Sequence, residues 1–176
     1  MTTKALHMGA KDKIIHHDVK STNILLDEKW VAKVSDFGLS KMGSTTVSKT
    51  HINTVVKGSF RYLDPEYYCH QQLTEKSYVY SFGVVLCEVL CASPALICTV
   101  EKKQMSLAEW TKICHRNGKI DQIIDPSLRG KIGNACLNKY VEIAVSCLQD
   151  NGIERSSMND VVWGLEFALQ LHQQGG

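Results

Sequence analysis

Asp18, Lys20 and Asn23 place a carboxylate, an ammonium and an amide within six residues. Apolar residues bracket them, Ile14 and Ile15 before and Ile24, Leu25 and Leu26 after. A second acid, Asp36, follows thirteen residues after Asn23 in Asp36-Phe37-Gly38. These residue types suit phosphoryl transfer. That reaction asks for positioning, for metal ions to carry phosphate charge, and for a group to take the proton of an attacking hydroxyl. Asp18 supplies the proton acceptor, and Lys20 sets a positive charge beside it that suits a transferring phosphoryl group. Asn23 returns a neutral oxygen to the same pocket and Asp36 an anionic one, both suited to a hard cation such as Mg²⁺. Gly38 is expected to let the chain turn sharply after Phe37. His16 reads as a buried brace for the loop rather than as a base.

The elements that must position these groups follow from the pattern. Ile24-Leu25-Leu26 reads as a short buried strand, Asp27-Glu28-Lys29 as a polar turn, and Val31-Ala32-Lys33-Val34 as the returning strand of a hairpin. Lys33 is expected on its exposed side. Residues 1–13 resemble the end of a helix preceding the polar loop. Ser40 to Thr54, rich in Ser, Thr and Lys, reads as a mobile loop. From Thr74 onward the chain is helical. Thr74 with Glu75 and Ser77 caps a helix to about Cys91. Ser106-x-x-Glu109 reads as a capping box for a helix that Gly118 stops. Leu137, Tyr140, Val141, Ala144, Cys147 and Leu148 form an apolar stripe. Ser157-x-x-Asp160 opens a last helix, with Val161, Val162, Leu165, Ala168 and Leu169 on one face, and residues 173–176 read as a frayed tail. Trp30, Trp110 and Trp163 are expected as packing anchors. The fold class is therefore mainly α with a small β-hairpin.

Composition bounds the function. The 176 residues suffice for one domain with a core, and a net charge of +2 argues against nucleic acid or a membrane surface as partner. Seven cysteines without a Cys-x-x-Cys pair fit free thiols in a reducing, cytosolic setting. Met1-Thr2-Thr3-Lys4 runs into polar residues without the apolar core of a signal peptide. Ser81 to Val100 is mainly apolar, but Glu88 near its middle and Pro94 mark it as a buried helix rather than a membrane span.

The two polar motifs resemble the catalytic loop His-Arg-Asp-x-Lys-x-x-Asn and the Asp-Phe-Gly loop of protein kinases. Here they read His16-His17-Asp18-Val19-Lys20-Ser21-Thr22-Asn23 and Asp36-Phe37-Gly38. Asp64-Pro65-Glu66 resembles the Ala-Pro-Glu that closes an activation segment, placing that segment at about 36–66. Val34 to Lys41, Tyr62 to Tyr67 and Tyr80 to Val85 resemble plant receptor-like kinases. Leu107-Ala108-Glu109-Trp110, Ile124-Asp125-Pro126 and Leu165 to Leu171 narrow the resemblance to the FERONIA-like (malectin-receptor) group. The resemblance implies the large, C-terminal kinase lobe over 14–172, and serine/threonine specificity through Lys20 and Ser59. It implies ATP and Mg²⁺ as cofactors, a protein substrate, and a cytoplasmic domain tethered to a membrane receptor. It further implies that Thr50 and Thr54 lie in the activation segment, that Asp18 and Lys20 are catalytic, and that Asn23 and Asp36 hold Mg²⁺. Glu66 is expected to pair with a buried Arg155.

The sequence departs from that family at four positions. His17 stands for the arginine that grips a phosphorylated loop, and a neutral imidazole is expected to weaken such switching. Tyr78 stands for an aspartate that braces the catalytic loop from below. Arg61 replaces a glycine beside the substrate-docking loop, and Ser156 a proline. None of the twelve glycines forms G-x-G-x-x-G, and no strand lysine or partner glutamate precedes Ile14, so the ATP-clamping lobe is not represented. Two readings follow: a partial serine/threonine kinase domain, or an inactive pseudokinase fragment that acts as a binding module or is a non-functional truncation.

Overall fold

The computed structural model describes residues 14–16, 18–42, 52–53, 56–98 and 104–175. The elements run β1 (Ile14–Ile15), β2 (Ile24–Leu26), β3 (Ala32–Val34), β4 (Lys41–Met42), β5 (Ile52–Asn53), α1 (Pro65–His70), β6 (Gln72–Leu73), α2 (Glu75–Cys91), β7 (Leu96–Cys98), β8 (Gln104–Ser106), α3 (Leu107–Arg116), α4 (Asn134–Cys147) and α5 (Met158–Gln174). Short 3₁₀ turns at Ser21–Asn23, Phe37–Leu39 and Phe60–Tyr62 punctuate the segment that carries the polar motifs. The molecule is mainly α, as expected. The β2–β3 hairpin is joined by three more two-stranded antiparallel ladders, β1–β4, β5–β6 and β7–β8. Residues 41–42 and 52–53 pair with 14–15 and 72–73, so strands occupy parts of the stretch read as loop. His17, Thr50, Thr54 and the residues 1–13 lie outside the described residues.

Helix α2 is the axis of the domain. Val79, Val84, Val85, Leu86, Cys87, Leu90 and Cys91 are all buried, so α2 is covered on several sides, as an all-round apolar helix must be. It packs on α3 and α4, and α4 on α5. Val141, Ala144, Cys147, Leu148 and Val161 complete the core. The α2–α4 approach depends on Gly83, because a Cβ there would stand 2.7 Å from the Cys147 Cβ. Thr74 caps α2 in a capping box with Ser77, and Ser157 caps α5 with Asp160. Among the described residues no helix is long and apolar enough to cross a membrane. The described cysteines whose state is defined (Cys69, Cys87, Cys91, Cys114, Cys136, Cys147) are free.

Several expectations are corrected. Ser106 makes no side-chain cap; it ends β8, and Leu107 N–H bonds instead to the Ala95 carbonyl at 2.9 Å. Leu25 and Leu26, on opposite faces of β2, are 56% and 57% exposed, so neither face of the hairpin is fully covered there. Trp30 and Trp163 are exposed rather than anchoring, and only Trp110 is partly buried. On α5 the inward face is Met158, Val161, Leu165 and Ala168, while Leu169 is exposed. Helical backbone continues through Gln174, so residues 173 and 174 belong to α5.

Candidate active site

Two short segments, held together by backbone, carry the polar groups. The Ser35 N–H donates to the Asn23 carbonyl at 2.8 Å, and Ser35 Oγ donates to the same oxygen at 3.1 Å. Ile24 pairs with Val34 in the hairpin that follows. Asn23 and Asp36 are thus brought to one edge, although thirteen residues separate them in sequence. His16 adds a second tie. It is buried, and its Nε2 lies 2.9 Å from the Ser35 carbonyl, while Nδ1 faces the Asp18 N–H at 3.4 Å. A neutral ring protonated on Nε2 satisfies both contacts, which leaves no nitrogen for work as a base. Phe37 meets the same ring edge-on, with centroids 5.0 Å apart.

Asp18 is the most heavily contacted group of the cluster. Its Oδ1 accepts from the Ser59 N–H and the Ser59 hydroxyl, both at 3.0 Å. Its Oδ2 receives the Lys20 ammonium at 2.5 Å and faces Asn23 Nδ2 at 3.4 Å. Lys20 also donates to Ser59 Oγ at 3.3 Å, so the serine hydroxyl accepts from the lysine while donating to the aspartate. Burial pushes the Asp18 carboxyl up, but Lys20 and the Ser59 donors outweigh it and hold the group below the ordinary carboxylate range. Asp18 is therefore an oriented carboxylate at neutral pH. It is a weak base by itself, able to direct a hydroxyl and to take its proton once that proton has become acidic in the transition state.

Asn23 is buried, and its Nδ2 donates to the Asp18 carbonyl at 2.9 Å. That contact leaves the amide oxygen for another partner. Asp36 is exposed, in the left-handed region at φ 61° and ψ 67°, and its Oδ1 accepts from the Gly38 N–H at 3.4 Å. The sharp turn expected at Gly38 is thus made at Asp36. What Gly38 supplies is room, since a Cβ there would stand 3.3 Å from Asp36 Oδ1. Asn23 and Asp36 offer the hard oxygen donors that Mg²⁺ takes. Two protein oxygens suit an ion that keeps several waters and shares phosphate oxygens.

Around Asp64-Pro65-Glu66 the expected Glu66–Arg155 ion pair is present but long, and Asp64 is the nearer partner. Arg155 donates from Nη2 to Asp64 Oδ1 at 2.7 Å, whereas Glu66 Oε2 stands 3.9 Å away and accepts instead from the Gly152 N–H at 2.8 Å. Asp64 is buried and Glu66 half-buried, because Asp64 caps α1 from its inner side. The remaining Arg155 donors reach the carbonyls of Gln149, Lys76 and Asp150, and its guanidinium lies 5.1 Å from the Tyr80 ring centre. Burial raises the Asp64 carboxyl, and Arg155, Ser77 and the Glu66 N–H together outweigh it, leaving the group below its usual range. Sequence reasoning missed Asp64, Ser35, Ser21 and Tyr62. Only Asp64 carried a signal, being an acid directly before the proline that opens a helix.

A family profile for the protein kinase domain matches residues 1–163. The receptor-like protein kinase FERONIA of Arabidopsis thaliana is 66% identical over 168 residues, 96% of this chain and 19% of that protein. ANXUR2 and THESEUS 1, receptor-like protein kinases of the same plant, are 62% and 57% identical over 96% of this chain and 20% of each relative. The chain spans about a fifth of the length of these relatives.

Proposed function

This chain belongs to the protein kinase domain family, and on that premise we propose that it forms the phosphoacceptor half of an ATP- and Mg²⁺-dependent serine/threonine kinase. The observation that carries the reading is the Asp18 carboxylate, fixed on both oxygens by Ser59 and by Lys20. A substrate hydroxyl placed beside Asp18 is oriented by the carboxylate and yields its proton there. Lys20 sits between Asp18 and Ser59, where its charge offsets that of an incoming phosphoryl group. Asn23 and Asp36 would hold the ion, and Mg²⁺ when bound neutralises charge building on the phosphate oxygens. The Ser59 bridge between Asp18 and Lys20 supports the Ser/Thr class. Receptor-type signalling on the cytoplasmic side, with a protein substrate, is the matching biological setting.

Tyr78 favours a second reading, a binding module without turnover. Burial pushes its phenol up to about 12, so a neutral group stands where the resemblance puts an aspartate. One experiment separates the two. The chain replaces the matching segment of the FERONIA kinase, and a protein substrate treated with MgATP is analysed for phosphoamino acids. Phosphoserine and phosphothreonine are expected. Phosphotyrosine alone would overturn the specificity, and no incorporation would leave the binding module.

A further inference from the structure

The Tyr62 hydroxyl has one proton, and its surroundings commit it. The hydroxyl donates to Glu88, lying 2.9 and 2.8 Å from its two carboxylate oxygens. The same hydroxyl lies 3.2 Å from Ser21 Oγ. With the tyrosine proton given to Glu88, the serine is the donor in that contact. The direction therefore runs from Ser21 to Tyr62 to Glu88, three groups whose dipoles align and reinforce one another.

Both ends of this relay are anchored. Glu88 sits on the central helix α2, and its Oε1 also accepts from the Ala95 N–H at 3.0 Å. Ser81, on the same helix, donates its hydroxyl to the Tyr62 carbonyl at 2.8 Å, so α2 holds Tyr62 by backbone and by side chain. At the other end, Ser21 opens the 3₁₀ turn Ser21–Asn23, closed by Asn23 N–H to the Lys20 carbonyl at 3.0 Å and by Ile24 N–H to the Ser21 carbonyl. That turn delivers Asn23 to Asp18.

We propose that Glu88 is a positioning residue: acting through Tyr62, it holds Ser21 and so fixes the turn that sets Asn23 against Asp18. The inference rests on the kinase reading for its functional consequence. Its structural content stands without that reading. Glu88 is the carboxylate by which α2 reaches this turn, through Tyr62. Burial, with Glu88 beside it, holds the Tyr62 phenol above its ordinary range, so the hydroxyl remains a donor through neutral pH. In the sequence Glu88 reads only as the charge that spoils an apolar run.

Amide hydrogen exchange on the full chain tests the relay without calling on turnover. Tyr62→Phe and Ser21→Ala are each expected to speed exchange at Asn23 and Ile24 about five- to tenfold, the loss of roughly one hydrogen bond of support, with α4 and α5 unchanged. Glu88→Ala is expected to do the same, and Glu88→Gln, which keeps an acceptor for the tyrosine, to restore most of the protection. Unchanged exchange at Asn23 and Ile24 in Tyr62→Phe and Ser21→Ala would overturn the proposal. So would a rise no larger there than in α4 and α5, or a glutamine variant as loose as the alanine one. Loss of phosphoryl transfer in the chimera would overturn the kinase reading and leave these exchange results untouched.

Discussion

Arg155 and Asp64 meet at 2.7 Å with 0% and 2% of their side chains exposed, ninety-one residues apart in the chain. The pair clamps the start of α1 to the loop before α5. Removing one partner strands a buried charge, a far larger loss than the net worth of the intact pair. Asp64→Ala is expected to cost about 3–5 kcal/mol. Glu66→Ala loses one N–H contact at a half-exposed site and is expected to cost about 1 kcal/mol. Urea unfolding of the two variants measures this. Equal losses would return the principal role to Glu66.

The same pair sets an acid limit. Asp64 in the fold lies below its unfolded value, so between the two values the unfolded chain binds more protons. Its contribution is complete above the unfolded value of about 3.9 and is lost as pH falls towards the folded one. Denaturation midpoints are expected to hold from pH 7 to about 5 and then to fall. An Asp64→Asn variant, already weakened, should show a shallower fall, and an acid slope equal to that of the parent would assign the effect elsewhere.

At Ser59 the expectation concerns charge rather than stability. Ser59→Ala removes the hydroxyl that Asp18 accepts and Lys20 reaches, while the backbone N–H contact at 3.0 Å remains. The Asp18 carboxyl should move up towards the ordinary range, followed by carbon-detected NMR titration. A carboxyl that stays put would mean that Lys20 and the backbone alone hold it down.

Gly83 tests the packing beneath the site. A methyl group there meets the Cys147 Cβ at 2.7 Å and the Leu148 side chain at 3.0 Å, and the helices must part to admit it. Gly83→Ala should cost about 1–3 kcal/mol in denaturant unfolding, despite the better helix propensity of alanine. A stabilised variant would show that α2 and α4 yield freely.

What could be read in the sequence was mostly local. The Thr74–Ser77 and Ser157–Asp160 caps use side chains within one turn of their targets, and the hairpin turn at Asp27 does likewise, with Lys29 and Val31 N–H groups on its Oδ1. Asp18, Lys20 and Asn23 lie close enough in sequence for spacing to bring them together. The choice between Asp64 and Glu66 was not local. Two acids flank one proline, and which of them turns inward depends on how α1 docks beside a residue far along the chain. Ser106 looked like a cap, but the β7–β8 ladder fixes its backbone before the helix begins. Leu25, Leu26, Trp30 and Trp163 were apolar enough to suggest burial, yet composition alone does not say which faces find a neighbour. Glu88 and Tyr62 meet across twenty-six residues and no motif joins them.

The most direct test of Asp18 as the group that takes the substrate hydroxyl's proton is the rate of phosphoryl transfer by the chimera that carries this chain, compared with the same chimera bearing Asp18→Asn. Asparagine keeps the shape of the side chain and removes its capacity to take a proton. A loss of about 10²–10⁴-fold is predicted, the range of a positioned general base. Equal rates in the two proteins would contradict the role assigned to Asp18.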